Sequence, residues 1–407
     1  MRFSRGLGVA VGLLAWLDTG PTHAQALTSL TTRGRVEALA LDYGLPGHPN
    51  AVGETQLGAV LRGILVLSTD AHVALEAGLL GRVPFALDFG EASAVAPWLA
   101  IVVRPGPDDL VFRLGAFDTR HGFHPAVVDE ARYAFARDYQ TTYNQSLSLN
   151  DGVPRSVSRR LFLPFESGAQ LTAKLLGVEF DGFLDWQLLE TSAHLEKFAV
   201  GFIAKLKRKR LFVSGQLRLV HYGGERFTSS DPLRSTGVDT KRQPLTMAVT
   251  ATVCPVRTSM LRIEIPATWV YGRLTQTRGA APRPHYGFEI GLDLVFASRV
   301  RLGYRAWLPK ANRAFMVSED SEPIYRAGRS HRASLSLEHR WLGATLDARL
   351  DLVFAEGARD VQYLTVTTLR FDVEEILWTG DKDRDRDERG SRSESESESE
   401  TSDTPKT

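Results

Sequence analysis

From Leu211 to Phe227 the chain alternates in twos. Leu211, Val213, Gly215, Leu217 and Leu219 fall on one side of an extended backbone, and Ser214, Gln216 and Arg218 on the other. The period is that of a strand, and it recurs. Tyr286, Phe288, Ile290, Leu292, Leu294 and Phe296 oppose Glu289 and Asp293, and Val300, Leu302, Tyr304 and Leu308 oppose Arg299, Arg301 and Arg305. Leu335 and Leu337 oppose Arg332, Ser334, Glu338 and Arg340; Leu346, Leu350, Leu352 and Phe354 oppose Thr345, Asp347, Arg349 and Asp351. Such an apolar stripe either lines the dry core of a sandwich or faces lipid.

The connections decide between these. Tight turns at 68–70, 104–108, 175–177, 207–209, 255–257, 297–298 and 341–343 alternate with longer polar stretches at 44–56, 81–95, 118–167, 188–196, 222–243, 274–284, 309–329 and 356–360. Short and long alternate without a break from a first strand at 36–43 to a last at 361–372, giving about sixteen strands, within 14–18. Strict alternation is expected of an up-and-down barrel with short periplasmic turns and long extracellular loops, whereas Greek-key sandwiches mix the lengths. The strands run about ten to twelve residues, enough to cross a bilayer at a tilt, and no helical pattern covers them. The expected fold is therefore all-β, a transmembrane antiparallel barrel whose closure pairs every backbone group and whose apolar faces meet lipid. Trp98, Trp186, Tyr271, Trp307 and Trp341 lie near strand ends and are expected in interfacial girdles.

The two ends of the chain read differently. Residues 1–26 carry Arg2 and Arg5, an apolar stretch from Gly6 to Leu17 and the small-residue pattern Ala24-Gln25-Ala26, the plan of a cleaved secretory signal. A periplasmic segment at 27–35, a barrel at 36–372 and a charged, disordered periplasmic tail at 373–407 follow. In that tail Asp381, Asp383, Asp385 and Asp387 alternate with Lys382, Arg384 and Arg386 and lack the glycine and distal glutamate of a calcium loop. Cys254 is the only cysteine, so no intramolecular disulfide forms. A net charge of +1 over 407 residues gives no case for nucleic acid.

The segment GVEFDGFLDWQLLE at 177–190, followed by Glu196-Lys197-Phe198 and by His221-Tyr222-Gly223-Gly224-Glu225, resembles a group of exported porin-like barrel proteins of Gram-negative outer membranes. The resemblance implies a passive outer-membrane channel for small hydrophilic solutes, contact with outer-membrane lipid, delivery by the barrel-assembly machinery, and a homo-oligomer as one option. Such barrels usually finish on a terminal aromatic, whereas here Phe371 is followed by a further stretch. No plug-sized region precedes the first strand, which argues against an energised transporter.

A barrel of this size leaves an aqueous lumen lined by its polar face. The basic lining is expected from Arg218, Arg262, Arg299, Arg301, Arg305, Arg332, Arg340 and Arg349, with Arg62, Arg113, Lys174, Lys197 and Lys205 as further candidates. The acidic lining is expected from Glu179, Asp181, Asp185, Glu264, Glu289, Asp293, Glu338, Asp347 and Asp351, with Glu76 beside them. Arg299, Arg301 and Arg305 next to Arg332 and Arg340 either form a basic wall with a mild anion preference or are cancelled by Glu289, Asp293 and Glu338. The long 118–167 loop either folds inward, setting Arg120, Asp129, Glu130, Arg132, Arg137 and Asp138 at a constriction, or caps the outside.

Two alternatives to a channel remain: a plugged structural or adhesive barrel, and a lipid or peptide hydrolase using Asp118, His121, His124 and Ser146. Neither a G-x-S-x-G elbow nor a HEXXH zinc motif is present, so no catalytic residue, metal or cofactor is assigned, and the chain is expected not to be an enzyme.

Overall fold

The computed structural model describes residues 29–44, 54–69, 72–84, 94–105, 109–128, 130, 165–188, 196–223, 242–276, 283–310, 325, 329–341, 344–356 and 361–379. The signal-like segment 1–26, the chain beyond Thr379, and Asp129, Arg132, Arg137, Asp138 and Ser146 lie outside them. Four strands open the fold: β1 (Ser29–Gly44), β2 (Glu54–Ser68), β3 (Val73–Pro84) and β4 (Ala94–Val103). The next are β5 (Leu110–Phe117), β6 (Glu166–Leu175), β7 (Val178–Leu188) and β8 (Glu196–Arg208). Then come β9 (Leu211–Gly223), β10 (Arg242–Arg257), β11 (Leu261–Gln276) and β12 (Arg283–Phe296). The last are β13 (Val300–Pro309), β14 (Ser330–Trp341), β15 (Ala344–Ala355) and β16 (Gln362–Thr379). Each strand pairs antiparallel with its sequence neighbours, and β16 returns to β1, closing the barrel. The expected up-and-down barrel is thus the fold. Its short connections follow the even-numbered strands and its long ones the odd-numbered strands.

The first and last strands are longer than the alternation alone suggests. β1 begins at Ser29 and not at Val36, and β16 runs to Thr379 and not to Asp372. Charged pairs extend the ladder there: Arg33 Nε donates to Glu374 at 3.1 Å, and Arg35 Nε to Asp372 at 2.6 Å. A hydrophobicity pattern is blind to such pairs. Likewise β10 passes through Pro255, where a tight turn is expected, and ends at Arg257. Its register with β11 shifts between Val253 and Val256, so the proline sits in a bulge and costs the ladder little.

The alternation resolves into an outside and an inside. On β9 Leu211 is exposed and Val213, Leu217 and Leu219 are half-buried, while Ser214, Gln216 and Arg218 are buried. A water-soluble protein does the reverse. Leu79 and Leu99 are about 60% exposed (61% and 59%), and the exposed apolar side chains recur on every strand from β1 to β16, far beyond the patches a soluble monomer leaves open. That surface is the lipid-facing wall. Trp186, Trp269 and Trp341 stand on it. Trp98 and Trp307, expected in the girdles, are each 2% exposed and point into the lumen. Parity explains the correction: Trp307 shares its face with Arg301 and Arg305, six and two residues before it.

Candidate functional site: a charged lumen crossed by one loop

The connection after β5 turns into the barrel. Asp118 accepts from Arg35 Nη1 of β1 at 2.8 Å and lies 3.5 Å from Arg62 Nη1 of β2, while Arg120 pairs with Glu37 of β1. His121 then enters a buried slot. Its Nδ1 lies 2.7 Å from Asp181 of β7 and its Nε2 2.8 Å from Glu166 of β6, and its ring stacks on Phe183 at 4.0 Å between centroids. Burial opposes charge on this ring, but Glu166 and Asp181 outweigh it and raise the pKa to about 10. His121 is therefore an imidazolium clamp with both nitrogens engaged.

The backbone of the same loop is fixed as firmly. Glu130 Oε1 accepts the amides of His121, Gly122 and Phe123 at 2.9, 2.6 and 2.7 Å. Burial pushes the Glu130 carboxyl above its ordinary range, against those amides and the His121 charge. Gly122 has φ +83°, and Lys205 Nζ of β8 occupies the space a Cβ would take while donating to the His121 carbonyl at 2.9 Å. Farther on, the His124 amide donates to Gln216 Oε1 of β9 at 2.6 Å, and His124 Nε2 lies 3.3 Å from Glu289 of β12. Phe123, Ala126, Val127 and Val128 pack in one apolar cluster with Phe183, Ile203, Val270, Trp307 and Val353, side chains of β7, β8, β11, β13 and β15. One loop thus spans the lumen and touches most of its circumference.

A second loop meets the first. Tyr325, between β13 and β14, is buried and donates to Glu289 Oε2 at 2.7 Å, while Arg332 Nη2 donates to the Tyr325 hydroxyl at 3.1 Å. Around this point the wall of β12 to β15 is an ion-pair lattice. Arg305 grips Asp293 with two bonds, Nη1 to Oδ1 at 2.6 Å and Nη2 to Oδ2 at 2.7 Å, and Arg301 Nη1 joins at 3.0 Å. Arg332 bridges Glu289 and Asp351, each at 3.6 Å, and Arg349 Nε donates to Asp351 at 2.8 Å. Arg262 pairs with Glu264 at 2.8 Å, and Arg340 with Glu338 at 2.6 Å. The arginines on this wall are therefore partnered by carboxylates, which cancels most of their field.

The sequence candidates divide by depth. Arg218, Arg332, Asp185, Glu289, Asp293 and Asp351 are buried inside the barrel; Asp181, Arg262, Glu264, Arg301, Arg305, Glu338 and Arg349 are half-buried. Glu179, Arg340 and Asp347 are exposed near the short-turn end. Arg299 is corrected: it lies in the β12–β13 turn with its amide on Phe296 O at 2.9 Å, not on the β13 wall. On the opposite side, Glu76 of β3 accepts from Arg113 Nη1 at 2.5 Å and from Trp98 Nε1 at 3.1 Å. Tyr325 gave no signal in the sequence and Gln216 only its place on the polar face of its strand, because both are uncharged and their partners Glu289 and His124 lie 36 and 92 residues away.

A family model described as Lipid A 3'-O-deacylase-type matches residues 49–240, which hold β2 to β9 and the inward loop. No curated protein matches the chain. Among solved structures, a loop L8 deletion mutant of OmpT, an outer-membrane protein of Vibrio cholerae, is 10% identical, with 85% of this chain and 100% of that chain covered and a TM-score of 0.49. An anion-selective porin from Comamonas acidovorans is 12% identical over 85% and 100%, with a TM-score of 0.49. Salmonella typhi OmpF, in complex with daunomycin, is 10% identical over 86% and 99%, with a TM-score of 0.46. Likenesses of this size carry nothing about activity; the barrel rests on its own strand pairing. The resemblance to porin-like outer-membrane barrels holds at that level. The family match overturns the expectation that the chain is not an enzyme, since the family is named for an ester-cleaving activity. The physical reason is that a missing G-x-S-x-G excludes one local arrangement only, whereas catalytic groups are brought together by geometry from any spacing.

Proposed function

We propose that the protein is an outer-membrane channel through which small hydrophilic solutes diffuse, narrowed at mid-barrel by the loop from Asp118 onward. The observation that carries this reading is the polar, ion-paired inner wall, with a loop clamped across it at His121. Charges of both signs recur around the inner wall, across β1 to β3 and β11 to β16, which suits a water-filled lumen better than a lumen packed with apolar side chains. Because the arginines are paired, the selectivity expected is a mild anion preference at most. Export by a cleaved signal, delivery by the barrel-assembly machinery, short turns in the periplasm and a possible homo-oligomer belong to the same reading.

A second reading, favoured by the family match, is cleavage of an ester-linked acyl chain from a membrane lipid. His121, held between two carboxylates, is not its base. His124 accepts the Ala126 amide on Nδ1 at 3.2 Å and turns Nε2 to Glu289, so it too is committed as placed.

One preparation tests both. Purified protein in planar bilayers is expected to give discrete conductance steps under a salt gradient. A folded barrel without conductance would overturn the channel, and fatty acid released from lipid A micelles by the same preparation would establish the second reading.

A further inference from the structure

Among the described residues, a dense run of unpaired positive charge lies away from the lumen. At the β8–β9 turn Lys207, Arg208, Lys209 and Arg210 follow one another, all exposed. The next turn adds Arg257, whose Nη1 donates to the Lys209 carbonyl at 3.1 Å. Among the described residues none of these five cations has an ion-pair partner. That contrasts with the lumen, where nearly every arginine has a carboxylate.

The neighbours of the cluster are as telling as its charge. Arg208 of β8 stands opposite Leu211 of β9, and Leu211 opposite Val253 of β10. Leu211 and Val253 are 43% and 50% exposed and belong to the lipid-facing wall. Together with the four turn residues they line an open groove of about 600 Å³. Its floor is apolar and its rim is cationic. The groove sits at the short-turn end of strands that cross the membrane, so the apolar floor is at acyl-chain level and the guanidinium and ammonium groups are at headgroup level.

We propose that this groove binds an anionic phospholipid, with its phosphate held by Arg208, Lys209 and Arg210 and an acyl chain laid along Leu211 and Val253. The chain's own acidic run at 394–400 would offer negative charge, but alternating serine and glutamate have nothing to place on the apolar floor. A lipid supplies both halves at once.

The test is native mass spectrometry of the full chain in neutral detergent, titrated with phosphatidylglycerol or phosphatidylcholine. Phosphatidylglycerol is expected to be retained about tenfold more tightly, with Arg208→Gln/Lys209→Gln/Arg210→Gln losing that preference and Lys174→Gln, in the β6–β7 hairpin, keeping it. Raising salt to about 0.5 M is expected to weaken retention by the unaltered chain, so the proposal stays testable if the triple variant fails to fold. Equal retention of both lipids, salt-independent retention, or an undiminished preference in the triple variant overturns it. So does competition by inorganic phosphate at the lipid's own concentration, which would make the site one for free phosphate. Carbodiimide cross-linking of Lys209 to the 394–400 run, in place of lipid, would assign the groove to the tail.

Discussion

Two parts of the lumen hold charge in different ways. Where the loop docks on β6, β7 and β8, one imidazolium, one ammonium and a nest of backbone amides fix a segment that has no strand partner. On β12 to β15, guanidinium groups pair with carboxylates across strands that the ladder already holds in place. The first arrangement positions a mobile kind of element and depends on few groups; the second is redundant. Removing one member should therefore matter far more at the loop than on the wall.

The largest effect is expected from His121→Leu. It leaves Glu166, with its side chain 1% exposed, without its partner, and breaking such a buried pair costs roughly 3–5 kcal/mol. Denaturant unfolding in lipid should show the loss, and single-channel conductance should rise as the loop leaves the lumen. Gly122→Ala attacks the same clamp through the backbone. A positive φ and the clash with Lys205 are expected to cost about 1–3 kcal/mol and to raise conductance in the same direction.

Alkali should separate the two regions without mutation. Because the His121 pKa is raised in the folded state, its contribution is complete below its unfolded value of 6.5 and is lost as pH rises through about 10. The arginines keep their charge beyond that point. Conductance of the unaltered protein is thus expected to increase toward pH 10 and that of His121→Leu to stay flat; parallel profiles would show that His121 does not hold the loop. A smaller change is expected from Arg305→Met, since Asp293 retains Arg301: a shift of the reversal potential toward cations with the fold intact. The smallest is Leu176→Asn at the β6–β7 turn, where Leu176 has φ 53°. Relief of that strain should stabilise by about 1 kcal/mol in the same unfolding assay.

What the sequence disclosed follows from the same contrast. Period-2 alternation revealed the strands because every outward position faces one solvent, lipid, and every inward position another. The alternation of short and long connections revealed the topology. Strand ends extended by charged pairs, as at Arg33 and Arg35, were invisible to a hydrophobic pattern and emerged only with their partners Glu374 and Asp372. The clamp was less legible still. His121 finds Glu166 and Asp181 at separations of 45 and 60 residues, with no period to announce them. The loop's inward course could be named only as one of two options. The matched family added what patterning could not reach, a possible chemistry.

The seam between β1 and β16 places Ser29 opposite Thr379. A short linker between Ser29 and Thr379 would make the 29–379 segment a ring, and the break could be moved into one of the long connections without altering a single strand pair. Topologically the barrel has no first strand. Its beginning is an accident of where the backbone is cut, while its assembly has a definite last event, since strands more than 300 residues apart must meet before any edge disappears.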